Sequence, residues 1–127
     1  MKTYHGSCHC ETVRFEVNAL IEKVVDCNCS ICTKKGALHH RVTAEQFKLI
    51  AGEDSLGLYQ FDSKEAKHYF CKKCGIHSFS YPRIAPDEIS INVRCLDDFD
   101  LETEQFEAIK FDGRNWEQAA AKIRRGK

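Results

Sequence analysis

Seven of the eight cysteines in this chain fall into three tight clusters. They are Cys8-His9-Cys10, then Cys27-Asn28-Cys29-Ser30-Ile31-Cys32, then Cys71-Lys72-Lys73-Cys74. Cysteines one or two residues apart bond to each other only under strain, yet their sulfurs converge readily on one tetrahedral ion. The spacing therefore points to metal ligation rather than to a disulfide framework. Four thiolates close a structural zinc site, so four of the seven can fill one. Three remain, and three thiolates on zinc leave a position open for an outside ligand. That arithmetic is the main reason to expect chemistry here.

The clusters differ in form. Cys71-Lys72-Lys73-Cys74-Gly75 has the spacing of a zinc knuckle, in which the glycine lets backbone amides face the sulfurs. Lys72 and Lys73 would offset the charge of a tetrathiolate. Residues two apart on a strand share a face, so a Cys-x-Cys step can present both sulfurs to one ion. Spacing alone leaves open which pairs share an ion, and Cys8 and Cys10 could in principle join the second cluster. Among the histidines, His9 should point away from the metal that its neighbours hold, and His77 sits close to Cys74. His39 and His40 follow the second cluster, and one of them could complete it, although loop histidines are more often solvated. Tyr69, Phe70, Phe79 and Tyr81 flank the knuckle and are expected to pack around its metal. Cys95, the eighth cysteine, shares the phase of Ile89, Ile91 and Val93. A buried, inert thiol is the default for it, with a fourth ligand to the second site or a redox thiol as alternatives.

These residues must be carried by short strands. Thr12–Asn18 alternates apolar and polar, the period of a half-buried strand. Gly6-Ser7 offers a turn before Cys8. Val24-Val25-Asp26 reads as a strand feeding the second cluster, and Ala66–Phe70 runs into the third. Thr43 with Gln46 resembles a capping box, which predicts one helical turn over Ala44–Phe47. Phe47–Ala51 and Leu56–Phe61 flank Gly52-Glu53-Asp54-Ser55 and are expected to form a hairpin. Asp62-Ser63-Lys64 is a second turn. His77–Tyr81 and Glu88–Arg94 are further strands. Asn115 with Gln118 could cap a terminal helix through Arg125, where Ala119-Ala120-Ala121 favour helix. The whole predicts a mainly-β chain with a short C-terminal helix, in a single domain over residues 1–127.

Bulk properties narrow the classes. The N-terminus has no apolar segment of the leader type, and no stretch is long enough to span a bilayer. A cytoplasmic metalloprotein is the expectation, with no membrane partner. Lysines plus arginines equal aspartates plus glutamates at 19 each, so the basic excess usual in nucleic-acid binders is missing and no such partner is expected. The one basic run, Lys122–Lys127, is read as a helix end whose cations favour the macrodipole.

Four segments together carry a resemblance. Gly-Ser-Cys-His-Cys, Cys-Asn-Cys-Ser-Ile-Cys, Phe-Cys-Lys-Lys-Cys-Gly and Asn-Val-Arg-Cys-Leu-Asp-Asp occur in the order seen in the glutathione-dependent formaldehyde-activating enzyme (GFA) family. The chain resembles that family from about Tyr4 to Asp98. The resemblance implies the Mss4-like fold, a set of coiled β-sheets sometimes called a β-tent. It implies a structural zinc on Cys8, Cys10, Cys71 and Cys74, and a second zinc with an open position on Cys27, Cys29 and Cys32, the expected catalytic residues. It further implies a carbon–sulfur lyase that joins glutathione to formaldehyde, or a related thiol to an aldehyde. Lys34, Lys35 and Arg41 are candidates for the glutathione carboxylates and for offsetting the charge of the three thiolates. The chain is shorter than the enzyme that names the family. Two other readings stand beside this one: a non-catalytic zinc module that binds a protein partner, and a methionine sulfoxide reductase of similar architecture using Cys95. Oligomeric state is not legible.

Overall fold

The computed structural model describes residues 1–125; the last two residues of the C-terminal basic run, Gly126 and Lys127, lie outside them. In chain order the elements are β1 (Lys2–Ser7), β2 (Arg14–Ala19), β3 (Lys23–Cys27), α1 (Ser30–Lys35), β4 (His39–Val42), β5 (Phe47–Ala51), β6 (Leu56–Tyr59), β7 (Lys67–Cys71), β8 (Phe79–Tyr81), β9 (Ile89–Asn92), β10 (Glu107–Phe111) and α2 (Trp116–Arg125). The chain is mainly β, with two sheets and one short C-terminal helix, as the Mss4-like expectation requires. No helix among the described residues is long and apolar enough to cross a membrane.

A three-stranded sheet, β1-β2-β5, packs against a seven-stranded one, β10-β3-β4-β9-β8-β7-β6. The alternation in β2 is the reason: Phe15, Val17 and Ala19 are fully buried on one face while Arg14 and Asn18 face outward. They meet Ile89 and Ile91 of the larger sheet and Val93 just beyond it. Phe15, Phe47 and Phe79 lock the layers, with centroids 5.5 Å apart for the first pair and 4.9 Å for the second. Such pairs contribute about 0.5–1.5 kcal/mol each beyond their area.

Three expectations are corrected. Phe47–Ala51 and Leu56–Tyr59 do not form a hairpin: β5 pairs with β2 and β6 with β7, in different sheets. The intervening Gly52, in the left-handed region at φ 92°, opens a one-turn 3-10 segment that carries the chain from one layer to the other. Gly6-Ser7 is not a turn but the end of β1, and the chain reverses instead at Cys8–Glu11, where Glu11 takes φ 64°. The last predicted strand stops at Asn92. Its side chain accepts the N–H groups of Leu38 and Arg94 and turns Val93–Cys95 into a 3-10 segment.

The pairing that positions the second cluster is β10 with β3. It is parallel, and it sets Phe111 opposite Cys27. The residues that follow Phe111 are thereby delivered to the cysteine loop.

Candidate metal centres and cavity

The seven clustered cysteines assemble into two groups, and every cysteine is free. Cys8, Cys10, Cys71 and Cys74 converge from the β1–β2 turn and the end of β7, so they join the two sheets. The Cys8–Cys10 sulfurs are 3.6 Å apart and the Cys10–Cys71 sulfurs 3.7 Å. Tetrahedral zinc with Zn–S of about 2.3 Å holds its sulfurs about 3.8 Å apart, so the donor set fits that ion. Backbone amides support the sulfurs, as Val13 N–H donates to Cys8 Sγ at 3.3 Å. Gly75, at φ 79°, donates its N–H to the Cys71 carbonyl at 2.7 Å and closes the knuckle. Val13, Leu49 and Leu56 pack around the group. Burial pushes the Cys8 thiol up to about 11, whereas the Cys10 backbone N–H pulls Cys74 down to about 6. A cation among the sulfurs resolves that conflict by favouring all four thiolates. The Cys-x-Cys here sits in a turn rather than on a strand.

Cys27, Cys29 and Cys32 form the second group. Cys27 ends β3. Cys29 caps α1, its sulfur accepting the Cys32 N–H at 3.4 Å. Gly36 ends the helix in the left-handed region at φ 67°. Neighbouring thiols and the amides of Ile31 and Cys32 hold the Cys29 thiol well below its ordinary value, and Cys29 in turn pushes Cys27 up. One thiolate forms easily and the next two are opposed by like charge, so this group too suits a cation.

These three sulfurs lie against a cavity of about 540 Å³, within the ordinary range for small-molecule sites of about 300–1,000 Å³. Its walls are mostly apolar and include Val25, Ile31, Phe61, Ile84, Phe111 and Trp116. Of the three cations expected nearby, Arg41 lines the cavity and pairs with Glu88 at 3.6 Å. Lys35 is half-buried, and its Nζ is 3.1 Å from Nδ1 of His68, which is itself a wall residue. Burial lowers the Lys35 ammonium, against the nearby thiolates that raise it. Lys34 is exposed at the end of α1 and is not a wall residue.

His39 is no loop residue. It is buried on β4, with Nε2 3.3 Å from Cys32 Sγ and Nδ1 without a partner among the described residues. His40 instead binds the Lys23 carbonyl. His9 is exposed, while His77 packs on Phe70 at 5.4 Å. Cys95 stands in the main core, its Sγ 3.7 Å from the His77 carbonyl, and belongs to neither group. Phe79 and Tyr69 stack on each other in that core, away from the knuckle. Sequence reasoning missed His68, Arg83, Arg114 and Trp116, all wall residues. The one available signal was that Trp116 is the chain's single tryptophan.

Comparison with known proteins agrees with this architecture. A crystal structure of a Rhodobacter sphaeroides protein superposes with a TM-score of 0.74 at 32% identity, covering 82% of this chain and 98% of that one. The family model for glutathione-dependent formaldehyde-activating enzymes matches residues 3–111. The chain belongs to the glutathione-dependent formaldehyde-activating enzyme family.

Proposed function

We propose that this protein is a zinc-dependent carbon–sulfur lyase that joins a small thiol of the glutathione kind to formaldehyde or a related aldehyde. The carrying observation is that the Cys27, Cys29 and Cys32 sulfurs border a cavity, and neither Cys95 nor a histidine completes the group. A site meant only to brace the fold would be closed by a fourth ligand, as the first group is. Zinc held by Cys27, Cys29 and Cys32 would supply Lewis acidity and stabilise a thiolate.

The surrounding residues fit that chemistry. Three thiolates leave a bound dication with net negative charge, and Lys35 supplies a nearby cation to offset it. A metal-ligating histidine as a rule donates its other N–H to an acceptor. His39 Nδ1 has none, so we read His39 as carrying its proton on Nε2 and donating it to Cys32 Sγ, not as a fourth ligand. That donation draws charge from the sulfur and sharpens the Lewis acidity of the site. Lys35 donates to His68 Nδ1, which keeps the His68 proton on Nε2. In the reaction the thiol sulfur bonds to the aldehyde carbon, and the proton lost from sulfur ends on the carbonyl oxygen. The apolar walls limit competing hydration. A substrate carboxylate meeting Arg41 would have to compete with Glu88.

The test follows adduct formation from glutathione and formaldehyde by NMR with zinc-loaded protein. Faster formation than in buffer, with glutathione binding at or below millimolar concentration, is the expected result. No acceleration and no binding at that concentration would contradict the proposal and favour a partner-binding module.

A further inference from the structure

Asn28, between Cys27 and Cys29, is clamped to the chain beyond β10. Its N–H donates to the Phe111 carbonyl at 3.2 Å, and its Nδ2 to Asp112 Oδ1 at 2.9 Å. Its side-chain oxygen accepts Arg114 N–H at 3.1 Å, and its carbonyl accepts Arg114 Nε at 2.9 Å. The approach is so close that a Cβ on Gly113 would sit 2.7 Å from both Cys27 Sγ and Cys29 Cβ. From this anchor α2 runs with Trp116, Ala120 and Ile123 on one face. Ala120 is fully buried, and Trp116 and Ile123 are cavity wall.

Arg83 also holds the first turn of the helix. Its guanidinium lies 3.7 Å from the Trp116 ring centroid, Nη2 is 2.9 Å from Glu117, and Nε is 3.0 Å from Glu65. Glu65 belongs to the β6–β7 loop, whose Phe61 and Ala66 are also wall. One arginine thus joins two walls. Gly113, Arg114, Trp116 and Ile123 all lie beyond residue 111, where the family match ends.

Of the arginines lining the cavity, Arg83 meets two carboxylates, Arg41 pairs with Glu88 at 3.6 Å, and Arg114 donates Nε to the Asn28 carbonyl. Most of the wall is nonetheless apolar, with Ile31, Phe61, Ile84, Phe111, Trp116 and Ile123 against His39 Nδ1 and His68 Nε2, which are unpartnered among the described residues, so an apolar group entering here buries its surface without stranding polar atoms of its own. We propose that the segment of residues 112–125 is a specificity-determining wall, and that Trp116 selects thiols or aldehydes bearing an apolar body of about aromatic-ring size. This rests on the reading that a thiol meets the Cys27, Cys29 and Cys32 group.

The test compares phenylmethanethiol, 2-mercaptoethanol and benzyl alcohol on the zinc-loaded protein. Trp116 is the only tryptophan, so its emission reports the wall directly. Benzyl alcohol, which has no sulfur, should shift that emission; no shift overturns the wall. By calorimetry the wild type should prefer phenylmethanethiol to 2-mercaptoethanol. Trp116→Ala should reduce that ratio about tenfold, and Trp116→Phe should keep it within about threefold. Ile123→Ala, at a partly exposed position, should reduce the ratio about threefold and serves if Trp116→Ala fails to fold. Thermal midpoint and zinc content confirm the fold of each variant. An unchanged ratio in the folded variants overturns the proposal. A benzyl alcohol shift with no thiol binding would support the wall and overturn the thiol reading instead.

Discussion

The two cysteine groups use the same ligand in opposite ways. Cys8, Cys10, Cys71 and Cys74 tie two sheets together, and two of these sulfurs belong to fully buried residues among valine and leucine. Cys27, Cys29 and Cys32 lie on a single local loop and helix, are all half-buried, and border a cavity. In the first, a metal would close a connection between residues 61 positions apart, such as Cys10 and Cys71. In the second it would close almost nothing, because the loop is already held by β3, the α1 cap and Asn28. On the proposed reading, ligand count and chain separation, rather than ligand type, divide bracing from chemistry.

The sharpest way to break this contrast is to remove one ligand from each group. Cys74→Ser should cost most, because structural zinc contributes about 10–16 kcal/mol in small zinc domains. The expected product is insoluble or molten protein, and wild-type thermal stability with full zinc content would refute the bracing role. Cys29→Ala should instead remain folded, with about one equivalent of zinc lost and no heat on addition of glutathione. A circular dichroism melt beside metal analysis separates the two variants.

Gly113→Ala sharpens the contrast further. Its methyl group meets Cys27 and Cys29 at 2.7 Å, so an overpacking cost of about 1–3 kcal/mol is expected. Zinc affinity should fall at the second group alone; equal loss at both would mean that the groups are coupled.

The smallest effect concerns pH. Burial and the Lys35 ammonium push His68 and His77 down to about 4. The unfolded chain takes up these protons near pH ~6.5, before the folded one does. The stability these rings carry is therefore complete above that value and is lost as pH falls toward 4. His68→Asn should reduce the slope of unfolding free energy against pH by about one proton between these limits. An unchanged slope would show that His68 does not titrate on unfolding.

Much of this was legible in the sequence where local pattern governs. The alternation of β2, the Thr43–Gln46 capping box and the Cys71–Gly75 knuckle depend on neighbours in the chain, and each occurs as expected. The false hairpin shows the limit. Phe47–Ala51 and Leu56–Tyr59 have strand patterns, but a 3-10 turn sent them to different sheets, and pairing partners are set by layer packing rather than by the sequence between strands. The cavity shows it again. Its wall brings Phe61, His68, Arg83 and Trp116 from four separate segments, none marked by spacing. Strand β10 was unread because its residues are mostly exposed and show no alternation, yet it delivers Gly113 to the sulfurs.

Stepwise chelation of the zinc-loaded protein, followed at once by metal release and near-ultraviolet circular dichroism, tests the division between the groups most directly. About one equivalent should leave under mild chelation with the tertiary signal intact, and the rest only with unfolding. Release of both metals in one cooperative step, together with loss of the tertiary signal, would contradict it.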